Sequence, residues 1–134
     1  MANIEITNVD LGSSLLESEG AADGTIAFGG ADILVDGTII ARDTTNDKFQ
    51  IYAKDGVTNG NGTPVGILTY ELEATGAGDL PIRVVVGGRF RKERLVIDAD
   101  GDDQNIDGQV RDELQQTGLI AIDTEQLAQL DNQP

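Results

Sequence analysis

Between Gly24 and Gly88 the chain is cut into short β-rich runs divided by turn residues, a spacing that leaves room for little except a small, mostly β domain. The runs are Thr25 to Phe28, Ile33 to Val35, Thr38 to Ala41, Lys48 to Tyr52, Val65 to Leu72 and Ile82 to Val86. Thr44-Thr45-Asn46-Asp47 suits a hairpin connection, because its polar side chains can hydrogen-bond local backbone. Thr58-Asn59-Gly60-Asn61-Gly62-Thr63 supplies positions that accept positive φ. These glycines read as turn chemistry, since no G-x-G-x-x-G or Walker spacing joins a strand to a helix, and phosphate binding has no support.

Beyond Asp98 the period changes. Ile106, Val110 and Leu114 recur every four residues, Asn105 or Asp107 is placed to cap the start, and Gly118 to end the segment, which predicts a helix of about three turns. Leu119 to Ile122 then reads as a buried strand. Asp123 and Gln126 have capping-box spacing, so the tail is expected to begin a short helix that docks through Leu127 and Leu130. At the other end, residues 1–23 are poor in apolar side chains and include the acidic, breaker-rich tract Leu16 to Asp23. Ile4 and Ile6 alternate on one face of a strand that lacks a local partner, followed by Val9 and Leu11. The expected organisation is an arm (1–23), a β-rich domain with a short helix (24–122, α+β) and a C-terminal tail (123–134).

Composition narrows the function. Nine basic against 24 acidic residues give a net charge of -15, which disfavours nucleic acid and anionic membrane surfaces as partners. Without Cys or His there are no disulfides, thiolates, imidazole bases or ordinary zinc sites. No run approaches the ~20 apolar residues of a membrane span, and the start Met1-Ala2-Asn3-Ile4-Glu5 lacks a signal-peptide pattern, so synthesis in the cytoplasm and a soluble product are expected. Only 4% of residues are aromatic, leaving a core of Ile, Leu, Val and Ala to which oligomerisation would be a natural supplement.

Two charged constellations invite sharper readings. The alternate carboxylates of Asp98-Ala99-Asp100-Gly101-Asp102-Asp103 resemble the start of an EF-hand loop, but Asp103 stands where the turn needs Gly and Gln109 where a bidentate Glu is needed. A solvated loop before a helix N-terminus accounts for them better, and no metal or cofactor is expected. Arg89, Arg91, Lys92 and Arg94 hold four of the nine positive charges within six residues. In so acidic a chain they are expected to neutralise acidic neighbours, within an assembly or on a partner surface, rather than to bind nucleic acid.

Four pieces of sequence, in order, carry a family resemblance: Gly37-Thr38-Ile39-Ile40-Ala41-Arg42-Asp43-Thr44-Thr45 with Lys48-Phe49; Val65-Gly66-Ile67-Leu68; Gly88-Arg89-Phe90-Arg91; and Thr117-Gly118-Leu119-Ile120-Ala121-Ile122. Together they resemble the lambda-type phage head decoration proteins. The resemblance implies a small β-clip, barrel-like domain forming a homotrimer at local threefold sites on the outside of an expanded capsid, where it bridges major capsid proteins. It also implies an arm that becomes ordered on the shell, a role that Ile4, Ile6, Val9 and Leu11 suit by their own pattern; Arg89, Arg91, Lys92 and Arg94 are candidate electrostatic contacts by charge alone. The implied location is the virion surface, after assembly in the host cytoplasm.

Two rival classes are weaker. Trimeric deoxyuridine triphosphatases are small and β-rich, but none of that family's motifs occurs in order, and no catalytic residue is expected. A virion adhesin or carbohydrate-binding module would present exposed aromatics, whereas the chain has no Trp and only Tyr52 and Tyr70, both inside predicted strands.

Overall fold

The computed structural model describes residues 14–98 and 103–123. Eight strands alternate with turns: β1 Leu15–Phe28, β2 Asp32–Leu34, β3 Ile39–Asp43, β4 Lys48–Ile51, β5 Pro64–Ile67, β6 Leu72–Ala74, β7 Gly78–Arg91 and β8 Leu119–Ile122. One helix, α1 (Gly108–Gln116), precedes β8, and a 3₁₀ turn covers Lys92–Arg94. The main sheet runs β1-β4-β3-β5-β7-β8, and pairing of β1 with β7 closes its first five strands into a barrel. The fold is thus mainly β with one short helix among the described residues. β2 and β6 form a separate two-stranded sheet.

The central strands are buried on both faces, which explains their unbroken apolar runs. Ile40, Leu68 and Val84 belong to a cluster with Ile26, Phe28, Leu34, Phe49 and Ile82. Their chain neighbours Ile39, Ile67 and Val85 belong to a second cluster with Phe90, Val110, Leu114 and Leu119. Successive strand residues point to opposite faces, so one face fills the barrel while the other is covered by α1. Truncating a side chain such as Leu114, fully buried, would cost about 2–5 kcal/mol.

Val85 and Phe90 lie in the same cluster although five residues apart, a spacing that a regular strand forbids. The ladder slips between Ser18↔Gly88 and Gly20↔Gly87, and Gly88 has φ +141°. A Cβ on Gly88 would stand 2.1 Å from the Glu17 carbonyl oxygen, so only glycine permits this bulge. The bulge turns Phe90 inward and Arg89 outward.

The helix starts where its cap is. The Asp107 carboxylate accepts the Val110 N–H at 3.0 Å, and Gly118 (φ +87°) follows the C-terminal turn. α1 is nine residues, shorter than the three turns expected, with Ile106 buried just ahead of it. Polar contacts then pin α1 to the segment after β4: the Tyr52 hydroxyl donates to Glu113, Lys54 pairs with Asp107, and the Gln109 amide donates to Asp55 at 2.5 Å.

Two expectations change. The run Val65 to Leu72 is two strands in different sheets, because the chain leaves β5 at Ile67 and joins β2 only from Leu72. Residues Leu15 to Asp23, expected within the arm, are the first half of β1 and pair with β7 from Phe90 to Arg83. A tract poor in apolar residues forms a strand here because β7 supplies the main-chain partners, and Gly20 approaches Val86 closely enough that a Cβ would be in ordinary contact at 3.7 Å.

Candidate functional site at the root of the N-terminal segment

The chain enters the described domain at Ser14, and its attachment there is specific. Ser14 is fully buried, one of two polar residues so placed among those described. Its hydroxyl donates to one Asp36 carboxylate oxygen at 2.5 Å, and its amide donates to the other at 3.3 Å. Its carbonyl accepts the Arg91 N–H at 2.7 Å. Leu15 then packs against the helix-covered core.

Asp36 is held by the turn that bears it. Gly37 donates its N–H to Leu68 at 2.7 Å and accepts the Val96 N–H at 3.0 Å, while the Thr38 hydroxyl donates to the Val35 carbonyl at 2.6 Å. With φ +101° and Arg94 backbone against its α-carbon, Gly37 has no room for a side chain. Residues just before β3, just after β5 and in the segment after β7 thereby fix the carboxylate that receives Ser14.

The basic residues adjoin this root without forming one patch. Arg89 is exposed and its Nε lies 3.5 Å from Glu17 on the neighbouring strand, a surface pair worth about 0–1 kcal/mol. Arg91 contributes its backbone to Ser14, with its side chain half-buried. Lys92 is half-buried and Arg94 exposed in the 3₁₀ turn that follows. Arg83 stands 3.7 Å from Asp23 further along the ladder. Sequence reasoning singled out the cations but missed Ser14 and Asp36, which have no local motif and meet only through the fold.

The remaining candidates are quickly placed. Ile4, Ile6, Val9 and Leu11 lie outside the described residues, as do residues 99–102 of the acidic loop and the tail beyond Asp123. Of the two tyrosines, Tyr52 is buried, and Tyr70, 40% exposed, accepts the Arg83 N–H through its hydroxyl at 3.1 Å. Burial together with Glu113 raises the Tyr52 phenol above its ordinary pKa. Among the described residues the surface depressions are open ones, such as one of about 280 Å³ beside Tyr70, Pro81 and Arg83.

The family model for bacteriophage lambda head decoration protein D matches residues 12–119. The chain belongs to that family. The match takes in the barrel, α1 and the Ser14 attachment, and it begins just after Leu11, so the four arm candidates precede it. Comparison with curated proteins finds no match. Membership makes this a structural protein of the phage head with a capsid-decorating role.

Proposed function

We propose that three copies of this chain assemble on the outer surface of the expanded capsid at local threefold sites and stabilise the shell by bridging neighbouring major capsid proteins. The observation that carries this reading is family membership across residues 12–119. The protein is not an enzyme in this account; its effect is thermodynamic, because a ligand that binds only the expanded shell shifts the balance toward that state. It is made in the host cytoplasm and ends on the virion.

Attachment is assigned to the arm, with Ile4, Ile6, Val9 and Leu11 as its apolar contacts. An extended segment gains main-chain hydrogen bonds by adding to an exposed sheet edge, with alternate side chains filling pockets on one face. Three arms on one trimer act together, so avidity can exceed single-arm affinity by about 10²–10⁴. Arg89, Arg91, Lys92 and Arg94 add electrostatic contact beside the arm's root, and metal ions, cofactors, nucleic acid and membrane play no part.

Deleting residues 1–11 tests this assignment. The truncated protein should fold and trimerise, as read by circular dichroism and light scattering, yet bind expanded capsids at least tenfold more weakly, a loss of about 1.4 kcal/mol. Unchanged binding would move attachment to the β domain or the tail.

A further inference from the structure

We infer that Ser14 and Asp36 form a clamp that fixes the point at which the arm leaves the domain, making Asp36 a positioning residue for capsid binding. The inference rests on the reading that the arm grips the shell. Three observations meet at this clamp.

The first is its completeness. Ser14 is fully buried, and its hydroxyl, amide and carbonyl all have partners: the two Asp36 oxygens at 2.5 and 3.3 Å and the Arg91 N–H at 2.7 Å. A charge-assisted pair of this kind is among the stronger hydrogen-bond arrangements. The second is the rigidity of what holds it, since the Asp36 turn is tied by main-chain bonds to Leu68 and Val96 and packed against the backbone of Arg94. The third is position. Strand pairing with β7 starts at the next residue, Leu15↔Phe90, so the ladder already anchors the chain beyond Ser14. What the clamp adds is control of where the preceding segment starts, beside Arg91 and the Lys92–Arg94 turn.

Such control matters because an arm that binds a second surface loses backbone freedom on binding, and each residue fixed beforehand is one that binding need not order. Without the clamp the last residues before the ladder would join the segment to be ordered, and three arms on one trimer would lose their common geometry.

The test is a double-mutant cycle using the full chain and the chain lacking residues 1–11, each with Asp36 or with Asp36→Ala, binding to undecorated expanded capsids of the parent phage. Asp36→Ala should weaken the full chain about tenfold, the loss expected when one or two further residues must be ordered on binding. It should change the truncated chain less than twofold. Melting temperatures should fall equally in both backgrounds, and hydrogen exchange in the free protein should show the Ser14 amide losing protection. Equal losses of affinity in both backgrounds would reduce Asp36 to a stability residue, and no loss in the full chain would remove the clamp; either overturns the inference while leaving the arm assignment intact. If truncation alone leaves affinity unchanged, the arm assignment fails and the inference with it. Ser14→Ala, which removes only the hydroxyl, gives the same comparison should Asp36→Ala fail to fold, and the same outcomes decide it.

Discussion

Replacing Gly37 with alanine should be among the most damaging single changes to this domain. A methyl group there would lie 1.9 Å from the Arg94 carbonyl oxygen and 3.0 Å from its carbon, both backbone atoms that no rotamer change can move. The residue also has φ +101°, a conformation that L side chains resist. A non-glycine residue in such a region costs about 1–3 kcal/mol. Forcing a packed neighbour aside adds about 1–3 kcal/mol. Relief by shifting the turn would break the bonds to Leu68 and Val96 that Gly37 makes through its N–H and carbonyl. A total of roughly 2–6 kcal/mol compares with a typical domain stability of about 5–15 kcal/mol. Urea unfolding followed by circular dichroism should show the midpoint falling steeply with an unchanged slope, and the melting temperature should drop by at least ~7 °C. Gly76→Ala is the control, because a Cβ there meets no atom within 4 Å, and its effect should stay within about 0.5 kcal/mol. Equal effects of the two substitutions would refute the reasoning.

Two further predictions concern the polar contacts of α1. Tyr52→Phe removes the hydroxyl that donates to Glu113 and should cost about 0.5–1.5 kcal/mol in urea unfolding. Because the folded state raises the phenol above its ordinary value of 10.0, stability should decline as pH rises past about 10, less steeply in Tyr52→Phe than in the parent. The Asp107 carboxyl is held below its ordinary 3.8 by Lys54 and by the Val110 N–H, so its contribution is present above that value and is lost as pH falls through the depressed one. Asp107→Asn should therefore flatten the loss of stability below about pH 4, measured by urea melts across that range.

Much of the β domain was legible because its cues are local. The Thr44–Asp47 connector is a hairpin turn in which the Asp43 carboxylate accepts the Thr45 and Asn46 amides, and β8 spans Leu119–Ile122 as its apolar run implies. Asp107 and Gly118 flank α1 by the same kind of short-range chemistry. The first half of β1 was not legible, since Leu16 to Asp23 has neither apolar alternation nor β-branched residues. Its strand exists through main-chain pairing with β7, at least sixty residues away, and side-chain pattern carries no trace of that. The Ser14–Asp36 attachment was hidden for the same reason, because a serine and an aspartate 22 residues apart become a site only after the β2–β3 turn and the end of β7 meet. The cations were visible as a cluster in sequence, yet strand geometry and the Gly88 bulge send them in different directions, with Arg89 engaged by Glu17.

Co-sedimentation with phage shells tests the central claim most directly. Purified protein should pellet with expanded capsids, saturating at a stoichiometry of three copies per local threefold site, and should remain in the supernatant with immature shells. Binding to neither form, or equal binding to both, would contradict a role in stabilising the expanded capsid.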